Sequence, residues 1–266
     1  SDKYFTYNKS DWFRREVALR APGTRAARAW FGVSTCAYNC TERALATGVP
    51  DQVQDNADAP LDPLASGAMF VTDQILLEQE VDIASDVFGT GWAASATPSV
   101  LWSASNSVPT TDVAVAKDTV VKAIGREANT GVIGRGLWTY VSQNNDILDR
   151  IRYASGPGNP AIVTAQAVAA LFQVQRLLIG SAIQNSGLEG ASDSFGYVWG
   201  NHLWIGYVAP NPSLMTPSAG YVFNYGQRQI NRFYEDQERN TVVECTASWD
   251  VRLVATDAGY LVKSAI

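Results

Sequence analysis

The chain has 266 residues, 46% of them hydrophobic, and a formal net charge of −6, enough for one large domain or two small ones around an ordinary apolar core. No apolar run approaches the roughly 18 residues of a membrane span, and no signal peptide opens the chain; Ser1 fits either a removed Met or a proteolytic cut. Three cysteines, Cys36, Cys40 and Cys245, make no disulfide framework and fit a reducing interior such as a cytoplasm.

The charge is unevenly placed. Residues 1–43 carry eight Lys/Arg against four Asp/Glu, residues 44–116 carry ten Asp/Glu and no Lys or Arg, and residues 117–266 carry twelve of each. A positive start followed by a negative middle invites pairing between the two, within one chain or between copies. No basic patch accompanies a known docking motif, so specific nucleic-acid recognition is not expected.

Residues 1–60 read as an extended arm and a long excursion. The stretch mixes Arg14, Arg15, Arg20, Arg25 and Arg28 with Tyr4, Phe5, Trp12, Phe13 and Trp30, and Pro22-Gly23 breaks it as a turn. Large aromatics on a poorly periodic basic segment make no core alone and want another surface to rest on. A polar, turn-rich connector, 51–62, leads into the longest predicted helix, 63–88. Asp62 is placed to cap it, Pro63 suits its first turn and Gly89 is placed to close it. At 1.5 Å per residue this is a rod of about 39 Å. Phe70, Leu77, Val81, Ala84 and Phe88 stack on one side, widened by Met69, Leu76, Ile83 and Val87. Glu78, Asp82 and Asp86, four residues apart, form an acidic ridge expected on the opposite, outward side.

After the helix, 89–111 reads as a surface connection pinned by Trp92 and Trp102. A second helix, 112–125, follows, with Asp112 near its start and Gly125 at its close. Residues 129–134 read as a buried strand with its turn, 134–151 as helical turns, 164–172 as a helix and 174–180 as a strand, an alternation that gives a mixed α/β centre.

Candidate chemistry is sparse. The C-x3-C spacing of Cys36 and Cys40 lacks the further donors a zinc site needs, and the one histidine, His202, lies among apolar residues as a strand residue with a satisfied hydrogen bond. No G-x-S-x-G accompanies it, which argues against a Ser/His/Asp hydrolase. Gly131, Gly134 and Gly136 raise a nucleotide-binding α/β enzyme as an alternative. Their G-x-x-G-x-G spacing is not the dinucleotide fingerprint, and a tightly packed turn is the plainer reading.

The segment NTGVIGRGLWTYVSQNNDILDRIRYASG resembles the part of tailed-bacteriophage major capsid proteins that runs from an Asn-Thr strand through a Gly turn to an Ile-x-Asp-Arg-Ile helix. TAQAVAALFQVQRLLIGSAIQNSG, SFGYVWGNHLWIGYVAPNPSLMTPSAGYVFNY and the C-terminal ATDAGYLVKSAI continue in that family's order. The likeness covers 112–266, and the arm-then-long-helix order of 1–111 agrees with it. It implies an α+β Hong-Kong-97-type capsid fold: arm and extended loop at 1–60, a peripheral domain on the spine helix at 61–111, an axial domain at 112–220, and a return to the peripheral domain at 221–266.

It further implies a virion shell protein with no enzymatic activity, cofactor or metal. Such a protein self-associates into pentamers and hexamers around packaged double-stranded DNA, without a membrane. It is assembled in the host cytoplasm, with scaffolding, portal and decoration proteins as partners. In the family, arm and loop lie over neighbouring subunits. On that basis Arg14, Arg15, Arg20, Arg25 and Arg28 are expected to meet a neighbour's Glu78, Asp82 and Asp86. A cellular nanocompartment (encapsulin-like) shell is the alternative within the same fold.

Overall fold

The longest helix is set by its ends. The Asp62 carboxylate accepts hydrogen bonds from the backbone N–H groups of Leu64 and Ala65, both at 3.0 Å, and Pro63 opens a helix that runs Pro63–Val87. Phe88, one residue before the expected Gly89, is its C-cap. A Cβ at Gly89 would stand 2.6 Å from the Ser85 carbonyl oxygen, so the glycine is needed for a close backbone approach.

The structure, a computed structural model, describes residues 1–7, 9–155, 163–211 and 216–266. Asn8 of the expected arm, the Gly156 that ends the first resembling segment and the stretch 212–215 lie outside the described residues. In chain order the elements begin with β1 (Asp2–Tyr7), α1 (Lys9–Phe13), β2 (Val33–Tyr38), β3 (Thr41–Pro50), α2 (Asp51–Asp55), α3 (Pro63–Val87) and β4 (Ala94–Ala96). The middle holds α4 (Pro109–Ile124), β5 (Thr130–Gly134), α5 (Arg135–Gln143), α6 (Asn145–Ser155), α7 (Ala165–Leu171) and β6 (Arg176–Gly180). Then come β7 (Ile183–Asn185), β8 (Phe195–Tyr197), β9 (Leu203–Gly206), β10 (Gly220–Asn224), β11 (Gln229–Glu235), β12 (Asn240–Leu253) and β13 (Gly259–Val262).

Two sheets carry the molecule. In the first, β12 is central and antiparallel to all its partners, with β3 along one edge and β10 and β11 sharing the other. The second runs β4-β13-β9-β5-β6, with β5 and β6 parallel and joined through α5, α6 and α7. This is the mixed centre the alternation predicts. Its strands are apolar because both faces are covered: all five residues of β5 and all four of β9 are buried. α4 closes on Gly125, whose φ of +66° is the left-handed conformation that glycine adopts without strain. Thr164 caps α7 through its hydroxyl, which accepts from the Ala167 N–H at 3.1 Å.

α3 serves two cores. Val71 and Ile75 pack with Val243, Cys245 and Trp249 of β12. Ala84 belongs to the larger core, with Ile83, Val87 and Phe88 packed against it. At 100° per residue these two sets lie on opposite sides of the rod, so its apolar residues form no single stripe. The expected stripe is corrected accordingly: Met69, Phe70 and Leu76 are exposed, at 67%, 55% and 43%.

The sheets also cut across the expected segments. β4, from the connection after the helix, and β13, from the C-terminal return, pair with each other in parallel inside the second sheet. Residues 221–266 therefore contribute strands to both sheets, and 61–111 lay α3 against the first and place a strand in the second. Burial of the pinning tryptophans brings this about. Trp92 lies 5.2 Å from Trp204 of β9 and donates to the Val87 carbonyl at 2.7 Å. Trp102 is 1% exposed, donates its ring N–H to Asp112 at 2.8 Å, and donates its backbone N–H to the Ala265 carbonyl at 2.6 Å.

Candidate assembly surface

The basic segment is a loop held only at its base. β1 and β2 pair as an antiparallel ribbon, and between them α1 and 14–32 project. Asp11 accepts from the Gly32 N–H at 3.0 Å and Trp12 packs on Phe31 at 6.1 Å, closing the base. The predicted Pro22-Gly23 turn is present, with the Thr24 N–H on the Ala21 carbonyl at 3.2 Å and Gly23 at φ +81°. Arg14 pairs with Glu16 at 3.4 Å and Arg20 donates to the Thr24 carbonyl. Both interactions stay inside the loop. Every residue from Phe13 to Tyr7's partner strand at Val33 is exposed; Val17 and Leu19 are fully so, and Trp30 is 84% exposed. The ordinary hydrophobic driving force therefore acts on this loop with nothing from its own chain to satisfy it.

The root of the loop is fixed differently. Tyr38 stacks on Phe223 of β10 with ring centroids 4.0 Å apart and an 11° interplanar angle, and Tyr4 stacks on the same ring at 5.7 Å. The Asn39 N–H donates to Asp250 at 2.8 Å, and the Cys40 thiol donates to the Phe223 carbonyl at 3.3 Å. Lys9 pairs with Asp257 at 2.7 Å, and beyond Cys40 the whole of β3 is zipped to β12.

The acidic ridge turns inward rather than outward. Asp82 accepts the Trp249 ring N–H at 2.9 Å and pairs with Arg43 of β3 at 2.7 Å, while the Arg43 guanidinium lies 4.4 Å over the Trp249 ring. Asp86 is half-buried beside Asp82, Asp250 and Arg252; burial raises its carboxyl above the usual carboxylate range, Arg252 opposes this, and the neighbouring Asp82 and Asp250 reinforce it. Glu78 alone of the three is exposed. The pairing of basic start with acidic middle is thus realised within the chain by Arg43, and the five loop arginines lie apart from all three acids. The sequence signal that distinguishes Arg43 is its place in a strand beside small residues, which needs the β3–β12 register to be read.

The remaining candidates have structural roles. His202 sits just before β9, where its Nδ1 accepts the Ser264 N–H at 2.9 Å and its ring meets Phe88 edge-on at 5.3 Å. Burial, then Lys263, holds its pKa below the ordinary value. Cys245 is buried in the smaller core, Cys36 is exposed and Cys40 half-buried. Among the described residues no group of three or more His, Cys, Asp or Glu side chains is arranged to hold a metal ion. Gly134 lies where a Cβ would meet the Gly200 and Trp199 carbonyl oxygens at 1.8 and 1.9 Å; one at Gly136 would meet Asn201 at 2.4 Å. The backbone of 199–201 fills the space a phosphate would need, and the glycines permit that packing. Among the described residues no helix is long and apolar enough to cross a membrane.

An arm ribbon with a projecting loop, a long helix under a four-stranded sheet and a second helix-flanked sheet make up the Hong-Kong-97-type fold of phage capsid proteins. Within that class, the sequence is similar to the major capsid protein of Burkholderia phage BcepMu, 25% identical over 170 residues that make up 61% of this chain and 52% of that protein. The chain thus spans about half the length of the curated relative it matches. Among solved structures it resembles a phage-related protein from Bordetella bronchiseptica RB50, with a TM-score of 0.70 and 24% identity, covering 93% of this chain and 82% of that one. It also resembles the capsid of cyanophage P-SCSP1u, with a TM-score of 0.61 and 9% identity, covering 98% and 82%. No protein-family model matches the chain.

Proposed function

We propose that the protein is a major capsid protein that self-assembles into the icosahedral head shell of a tailed double-stranded DNA phage. The observation that carries this reading is the sequence likeness to a phage major capsid protein on a capsid fold. The likeness to a phage relative favours a virion shell over a cellular nanocompartment with the same fold. The protein's work is geometric: many copies bury the same interfaces, so modest pairwise contacts are multiplied. Pentamers and hexamers are the building units, formed in the host cytoplasm with scaffolding, portal and decoration proteins and closed around DNA that is not read by sequence. The arm and loop of 1–60 reach over a neighbour, with Arg14, Arg15, Arg20, Arg25 and Arg28 as their charged contacts. Of the three acids first paired with them, Glu78 is the one left exposed. The division into peripheral and axial domains follows the two sheets, with 94–96 and 259–262 assigned to the axial one.

Electron microscopy of the purified protein, with sizing chromatography beside it, tests this. Closed shells, tubes or ring-shaped pentamers and hexamers are expected. A monodisperse monomer at high concentration, with or without scaffold and portal from the same genome, would overturn it.

A further inference from the structure

Two contacts tie the β1–β2 ribbon to the body of the same chain. At its root, Tyr38 and Tyr4 stack on Phe223 and Asp250 accepts the Asn39 N–H. At its other end, immediately before loop 14–32, α1 reaches back toward the second sheet. Lys9, which opens α1, donates to Asp257 at 2.7 Å, in the short turn Thr256–Ala258 that leads into β13. Phe13, which ends α1, rests on Gly125, where a Cβ would stand 3.0 Å from its ring. The left-handed glycine that closes α4 thus also leaves a seat for Phe13. Between the two contacts lies a cleft of about 1110 Å³, lined by Lys3, Tyr4 and Trp12 on one side and by Ile124, Tyr221 and Val254 on the other.

We propose that Lys9, Phe13 and Asp257 form an autoinhibitory latch. In the dispersed chain α1 fastens the base of loop 14–32 to the chain's own second sheet, and assembly waits until α1 comes off Asp257 and Gly125 and the ribbon swings about its root. This rests on the shell reading above and supplies that reading with a brake. The contact is built to release. The Lys9 and Asp257 side chains are 54% and 35% exposed, and an exposed ion pair shifts an equilibrium by at most about fivefold. Phe13 is 59% exposed in its seat, so little apolar surface is uncovered when it leaves. The open cleft adds no packing between the two contacts. The β1–β2 ladder joins the two strands of the ribbon to each other, so the ribbon moves with its backbone bonds intact. The root, where two rings stack on Phe223, is the pivot. Of Lys3, Lys9 and Arg126, all on the cleft, it is Lys9 that Asp257 holds, while Arg126 donates to the Tyr207 hydroxyl at 3.1 Å. The latch thus grips the ribbon at the end nearest the loop, where a weak contact has the longest lever over the loop's position.

The test measures amide hydrogen exchange in the dispersed full chain and, by light scattering, its rate of assembly. The variants are Lys9→Glu, Asp257→Lys and the chain carrying both substitutions. Each single variant is expected to raise exchange of residues 9–13 by about two- to fivefold and to speed assembly by a similar factor. The double variant reverses the pair without removing it and is expected to return both rates to wild type. The single variants change net charge in opposite directions, so a general charge effect moves them apart, whereas loss of the latch moves them together. Unchanged exchange in both single variants would overturn the latch. Faster exchange with unchanged or slower assembly would overturn its inhibitory role, because the contact would then be aiming the loop rather than restraining it. Either result leaves the shell reading standing. The expected exchange pattern with no assembly from any variant, scaffold and portal present, would keep the latch and overturn the shell reading.

Discussion

At the scale of single residues, His202 and Gly134 show how little room the second sheet has. His202 accepts a hydrogen bond on Nδ1 and is held neutral by burial and Lys263, so its folded pKa lies below the ordinary 6.5. Between those two values the unfolded chain binds more protons than the folded one. Its contribution to stability is therefore complete above the ordinary histidine range and is lost as pH falls through the interval. As the chain's one histidine, it gives a single imidazole signal; titration by NMR is expected to place its midpoint below 6.5, and a midpoint at or above 6.5 contradicts the packing described. Gly134→Ala drives a Cβ into two backbone carbonyl oxygens that belong to a different loop. Overpacking ordinarily costs about 1–3 kcal/mol, and rigid backbone on both sides puts this variant at or beyond the upper end. Chemical denaturation of the variant is expected to show that loss, or a chain that fails to fold.

At the scale of elements, α3 is terminated locally and oriented remotely. Removing the cap with Asp62→Ala is expected to cost about 1 kcal/mol in urea unfolding without changing the assembly product. Arg43→Ala leaves Asp82 with one donor and removes the guanidinium from the Trp249 ring, at an expected cost of about 1–3 kcal/mol. Asp86→Asn has the opposite sign. A carboxyl with a raised folded pKa binds its proton more tightly in the folded chain, so stability falls as pH rises through the interval above the ordinary 3.8. The variant is expected to melt higher than wild type at pH 7, with the difference closing on acidification; a lower melting temperature at pH 7 would refute the burial assigned to Asp86.

These elements also show what could be read from the sequence alone. The ends of α3, the Gly125 close of α4, the buried β5 and the cap of α7 depend on neighbours within four residues, and the one-dimensional pattern contains them; the start of α4 lies at Pro109, three residues before the expected Asp112. The direction of the acidic ridge does not, because its partners Arg43 and Trp249 lie 39 and 167 positions away, and an i, i+4 row of carboxylates looks the same whether it meets water or two cationic and indole donors. The pairing of β4 with β13 is hidden for the same reason: two strands of three and four residues carry too little alternation to announce a partner over 160 positions off. The candidate arginines were legible as a group needing a surface.

At the scale of the whole molecule, stability and assembly are carried by different parts. Replacing Arg20, Arg25 and Arg28 by Glu touches no residue of either core, and exposed charges contribute little to folding. Thermal unfolding of the dispersed variant is expected within a degree or two of wild type, while light scattering shows assembly lost or confined to much lower ionic strength. Variants whose melting temperature and assembly fall together would show that the loop supports its own chain.

The helix that serves two cores has a mechanical consequence. A rod gripped by one sheet on one side near its start and by the other on the opposite side near its end cannot roll about its axis to suit either without shearing the other. It works as a torsion bar: a small twist of one sheet is returned as torque on the other, while loop 14–32, which belongs to neither core, stands outside that coupling.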